Sequence, residues 1–108
     1  IYMKFEIKRP DFAEIEISSN GNLLKGKIYN SLNLPISKYT KLRALVDKMQ
    51  KETETEKIVN YMIDILALCI EGITKEDIEK NIIMSDMYEI VKYIFQAEVE
   101  KKTNGTIS

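Results

Sequence analysis

The sequence predicts an α+β fold: a small N-terminal antiparallel β-hairpin or three-strand sheet over about residues 2–29, followed by a mainly α four-helix bundle. Two observations carry the prediction. Apolar residues alternate with polar ones, with period two, through the first three tens of residues, and an Asn-Gly pair interrupts that alternation. From Ser31 onward the apolar spacing changes to steps of three and four, the period of a helix packed on one side. With 108 residues the chain has room for one core, so residues 1–102 are expected to form a single domain.

Ile1, Met3, Phe5 and Ile7 face one way and Tyr2, Lys4, Glu6 and Lys8 the other, which is the pattern of a half-buried strand. Arg9-Pro10-Asp11 stops it. Ala13, Ile15 and Ile17 alternate with Glu14 and Glu16 in a second strand over Phe12 to Ser18. Ser19-Asn20-Gly21-Asn22 then supplies a tight type I′ turn, and Leu23 to Tyr29 returns as a third strand weakened by Lys25, Gly26 and Lys27.

Pro35 and Ser37 open the first helix, about 37–50, whose Tyr39, Leu42, Val46 and Met49 recur on one side with Lys41, Ala44, Lys48 and Lys51 opposite. The charged stretch Lys51 to Glu56 reads as a loop running into a capping box of Thr53 and Glu56. The second helix, about 54–71, has its polar residues Lys57, Asn60, Asp64 and Glu71 in one narrow stripe, with Ala67 completing the row, and Gly72 stands where a glycine ends a helix. Thr74 caps a short third helix, about 75–81, with Asp77 at its positive end and Ile73 and Ile78 as a hydrophobic staple. Ser85 is the expected cap of the fourth helix, about 86–102, with a thin polar stripe of Glu89, Lys92, Gln96 and Glu100. Residues 103–108, with Asn104-Gly105, are expected to be a flexible tail.

The inventory removes most chemistries. Histidine is absent and Cys69 is the sole cysteine, so Cys/His zinc sites, Ser-His-Asp triads and Cys-His nucleophiles are excluded. No glycine spacing matches a phosphate loop or a dinucleotide fingerprint, and the carboxylate pairs Glu76/Asp77 and Glu14/Glu16 fall at a helix start and on a solvent face. No catalytic residue, metal site or cofactor is therefore expected, and the protein reads as non-enzymatic. A net charge of −1 gives no attraction for phosphate backbones. The basic cluster Lys38, Lys41, Arg43, Lys48 and Lys51 lies beside Asp47 and Glu52, a solvated helix face rather than a nucleic-acid groove. No apolar run approaches the ~18 residues of a membrane span, no secretory signal pattern opens the chain, and a lone cysteine in an apolar setting fits an intracellular protein.

The width of the apolar faces on the second and fourth helices exceeds the roughly 100° stripe that a surface helix needs. One of them can be central. Two together point to self-association or to a hydrophobic partner, with Tyr61, Met62, Tyr88, Val91 and Phe95 as the expected contact residues.

The order of elements resembles a family. A short β segment precedes the Pro-led, lysine-containing helix of Leu34-Pro35-Ile36-Ser37-Lys38-Tyr39-Thr40-Lys41-Leu42, and a strongly apolar helix follows it. Then come Glu71-Gly72-Ile73-Thr74-Lys75-Glu76-Asp77-Ile78-Glu79 and Ser85-Asp86-Met87-Tyr88-Glu89-Ile90-Val91. Over about Met3 to Lys102 this is similar to the tail assembly chaperones of long-tailed, siphovirus-type phages and prophages. The resemblance implies a protein of the host bacterial cytoplasm that coats the apolar tape-measure protein, recruits tail-tube protein and leaves before the particle is complete. It also implies that a frameshifted product with a C-terminal extension exists in many members. The alternative is a small helical adaptor or inhibitor that binds one folded protein partner.

Overall fold

The computed structural model describes the backbone of residues 11–107 and the side chains of residues 11–100. The strand expected over Ile1 to Lys8 lies outside the described residues. Two long strands, β1 (Ala13–Ser19) and β2 (Asn22–Ile28), form the expected hairpin, with Ser19 opposite Asn22 and Ala13 opposite Ile28. Asn20 and Gly21 both have positive φ, 50° and 78°, as a type I′ turn requires. Ile17 and Ile28 are buried on the inner face. On the outer face Glu14 stands opposite Lys27 and Glu16 opposite Lys25, so the exposed pairs have opposite charge.

A 3₁₀ turn, Ser31–Asn33, follows, its amides held by the Asn30 side chain, which accepts from Leu32 at 3.0 Å and Asn33 at 3.2 Å. Helix α1 (Ile36–Lys51) enters behind Pro35 and buries Leu42 and Val46, the centre of the expected stripe. Helix α2 (Thr55–Cys69) starts without the expected capping box. The Glu52 carboxylate accepts from the amides of Thr53 and Glu54 instead, at 3.1 and 3.2 Å. These two hydrogen bonds hold its pKa below the ordinary carboxylate value.

The end of α2 is the main departure from expectation. The helix stops at Cys69, and Ile70–Glu71 forms a two-residue strand, β3, antiparallel to β2 with Ile70 opposite Ile28 and Glu71 opposite Lys27. The sheet order among the described residues is β1-β2-β3. Gly26 makes this pairing possible, because a Cβ there would lie 2.7 Å from the Glu71 carbonyl oxygen. Gly72 does adopt positive φ, 94°, but it turns the chain out of β3 rather than out of the helix.

Helix α3 (Lys75–Asn81) begins as expected: the Asp77 amide donates to Thr74 Oγ1 at 3.2 Å, and the Thr74 hydroxyl donates to Asp77 Oδ2 at 2.8 Å. Ile73 and Ile78 are both buried across that cap. Helix α4 (Met84–Ile107) starts before Ser85 can cap it, since only Ile82 and Ile83 separate it from α3 and the Met87 amide already donates a hydrogen bond to the Ile83 carbonyl. Its backbone remains helical through Asn104 and Gly105 to Ile107, where a tail was expected. Extending an existing helix adds a hydrogen bond for each residue fixed, so two poor helix formers do not suffice to end it.

Helix α2 is the centre of the molecule. It packs against α1, α3, α4 and β3, and its Ile65 and Leu66 are completely buried. The core around it draws Leu42 from α1, Ile78 from α3, Met87 and Ile94 from α4, and Ile17 and Ile28 from the sheet.

Candidate functional site

The five expected contact residues separate into two groups. Met62 retains 7% exposure and belongs to the core, and Tyr61 is half-buried on the same helix. Tyr88 is 58% exposed, while Val91 and Phe95 are half-buried on α4. Val91 and Phe95 line one groove together, and neither Tyr61 nor Met62 is among its lining residues.

Val91 and Phe95 form one wall of an open groove of about 440 Å³ between α4 and α1. Glu98 and Val99 continue that wall, and Val46, Met49, Arg43 and Gln50 form the opposite one. Along α4 the apolar residues Met84, Tyr88, Val91, Phe95 and Val99 are spaced by four, three, four and four, so they line up on one side of the helix. The row spans roughly 22 Å at the rise of an α-helix. Met84 and Val99 are 42% and 63% exposed. Among the described residues, exposed apolar side chains elsewhere, such as Leu23 and Ile36, form no comparable row.

Polar contacts fix the width of the groove at one end. Glu98 accepts a hydrogen bond from the Tyr39 hydroxyl at 3.0 Å and an ion pair from Arg43 at 3.2 Å, and the Arg43 guanidinium lies 5.9 Å from the Tyr39 ring centre. This cluster ties the beginning of α1 to the later part of α4. The charges of Glu98 and Arg43 thereby offset one another, and the rest of the lining is apolar except for Gln50.

Val99, Met49 and Glu98 were not among the expected contact residues. Val99 follows Phe95 by one helical turn, so extending the row on α4 would have found it; Glu98 carries no signal in the sequence, because its partners Tyr39 and Arg43 are more than fifty residues away. Cys69 is buried with 1% exposure, and burial pushes its thiol pKa up to about 12, slightly opposed by the charge of Lys38. It is inert packing. Among the described residues no helix is long and apolar enough to cross a membrane, and no three His, Cys, Asp or Glu side chains cluster as a metal site would require.

No protein-family model, curated protein sequence or solved structure matches the chain.

Proposed function

We propose that this protein is a non-enzymatic assembly chaperone of the phage-tail type, holding apolar helical stretches of a tape-measure protein against α4 until tail-tube protein displaces them. The observation that carries the reading is the partly uncovered apolar row Met84, Tyr88, Val91, Phe95 and Val99 beside the α1–α4 groove. An amphipathic client helix presents apolar residues at the same three- and four-residue steps, so it meets such a row along its length. A shallow, open groove gives modest contact per segment and fast release, which suits a client that must later be surrendered to a polymerising tube. The same row also supports self-association of the chaperone when client is scarce. The resemblance in element order supports the reading independently of the groove.

The test begins with the DNA flanking the gene. An overlapping frame near its 3′ end, followed by a very long reading frame rich in apolar helix, is the expected arrangement, and co-expression should then keep that product soluble. A neighbourhood without tail genes, together with stoichiometric capture of one folded protein, would replace this reading with the adaptor or inhibitor alternative.

A further inference from the structure

A second groove lies on the opposite flank of α1, between α1 and α2. It has a volume of about 520 Å³ and is lined by Lys41, Ala44, Leu45 and Lys48 from α1 and Asp64, Ala67 and Leu68 from α2. On each helix these positions follow three- and four-residue steps and so share a face. Ala44 and Ala67 leave the depression, half-buried Leu45 and Leu68 give it an apolar floor, and Lys41 and Lys48 stand exposed at its rim.

The charge of this groove is unbalanced, unlike that of the α1–α4 groove. Asp64, the carboxylate on the α2 wall, is already engaged by Lys75 at 2.6 Å. That hydrogen bond, with the charge of Asp64 behind it, holds the Lys75 ammonium above the ordinary lysine pKa. Lys41 and Lys48 take part in none of the ion pairs formed among the described residues. The rim therefore offers two cations over an apolar floor, and the one carboxylate of the lining, Asp64, is already paired.

We propose that this groove docks an amphipathic helix of a partner protein, one that carries two carboxylates seven residues apart along the edge of its apolar stripe. Lys41 and Lys48 are themselves seven residues apart, about 10 Å along α1, so carboxylates at that spacing meet both when the partner lies along α1. The partner is helical because both walls are helices and the groove has no sheet edge. An extended peptide would leave its amides and carbonyls unpaired there, whereas a helix satisfies its own. Two lysines without a stacking aromatic among the lining residues make a poor track for a nucleic acid, which would also gain nothing from the apolar floor. This surface is separate from the α4 row, so it stands or falls apart from the chaperone reading.

The full chain is titrated with three helical peptides of about 18 residues, long enough to hold helix in the bound state. The first has a leucine stripe flanked by glutamates seven apart, the second has lysines in place of those glutamates, and the third keeps the glutamates but replaces the stripe with serine. Calorimetry should show the first binding, the second about tenfold weaker and the third not measurably. Amide shifts should centre on Ala44, Leu45, Ala67 and Leu68. In the Lys41→Glu/Lys48→Glu variant, whose exposed positions leave the core untouched, the preference between the first two peptides should reverse. The proposal is overturned by equal binding of the first two peptides, by failure of the first to bind, or by shifts confined to Val91 and Phe95. Binding of the serine peptide as tight as the first would also overturn it, showing a plain polyanion site.

Discussion

Helices α2 and α4 have apolar faces of similar width in the sequence and opposite fates in the fold. Four elements surround α2, which buries Met62, Ile65, Leu66 and Cys69. In contrast α4 packs mainly against α2 and the 3₁₀ turn, buries Met87 and Ile94, and leaves the row from Met84 to Val99 partly open. A wide apolar face thus has two meanings. It marks the centre of a small core when neighbours are available on every side, and a face left partly open when they are not.

The largest effect that can break this comparison is a cavity in α2. Leu66→Ala should cost about 2–5 kcal/mol in a urea melt, the range for a fully buried leucine, while Val99→Ala should stay within about 0.5 kcal/mol. Comparable losses at both positions would mean that α4 is packed as α2 is.

Next in size is the anchor of α2 on the sheet. Gly26→Ala drives a Cβ toward the Glu71 carbonyl and the Ile73 side chain. It should cost about 1–3 kcal/mol, as overpacking does, and raise amide exchange at Ile70 and Glu71 more than at Val91. Exchange rising equally in both places would remove the distinction between an anchored and a free helix.

Cys69 reports the burial of α2 through pH. Its folded pKa of about 12 lies above the ordinary 9.0, so the stability it contributes is complete below pH 9.0 and is lost as the pH climbs toward 12. The loss should be about 1 kcal/mol per pH unit over that window. At pH 9 a thiol reagent should modify the native protein far more slowly than the urea-unfolded chain. Equal rates would place the end of α2 at the surface.

The smallest effect on stability belongs to the polar tie across the α4 groove. Glu98→Gln removes the ion pair with the partly exposed Arg43 and should cost only about 0.2–1 kcal/mol. Its informative consequence is a change in binding at the groove with the melt nearly unchanged.

Local signals were legible where one residue type has one conformational use. Asn20-Gly21 announced its turn and Thr74 its cap, because both act on their own neighbours. Thr53 and Ser85 looked like caps as well, yet the Glu52 carboxylate took the amides at the first, and a link of two residues left no room at the second. Strand β3 was hidden because Ile70 closes an apolar run that reads as helix, and only the gap above Gly26 makes it a strand. The same limit governed the candidate surface. Periodicity placed Val91 and Phe95 on the row that stays open, but it could not distinguish Met62, on an equally apolar helix, from them. That distinction depends on which neighbours arrive from distant parts of the chain.

The most direct test of the α4 surface is the suppression of aggregation of an apolar helical client, followed by light scattering, for the wild-type chain and a Tyr88→Glu/Val99→Glu variant. Both positions are more than half exposed, so the variant should melt like the wild type. The wild type should keep the client dispersed, and the variant should need about tenfold more protein for the same effect, because each new carboxylate must be desolvated in the contact. Equal suppression by the two, or none by the wild type, would contradict it.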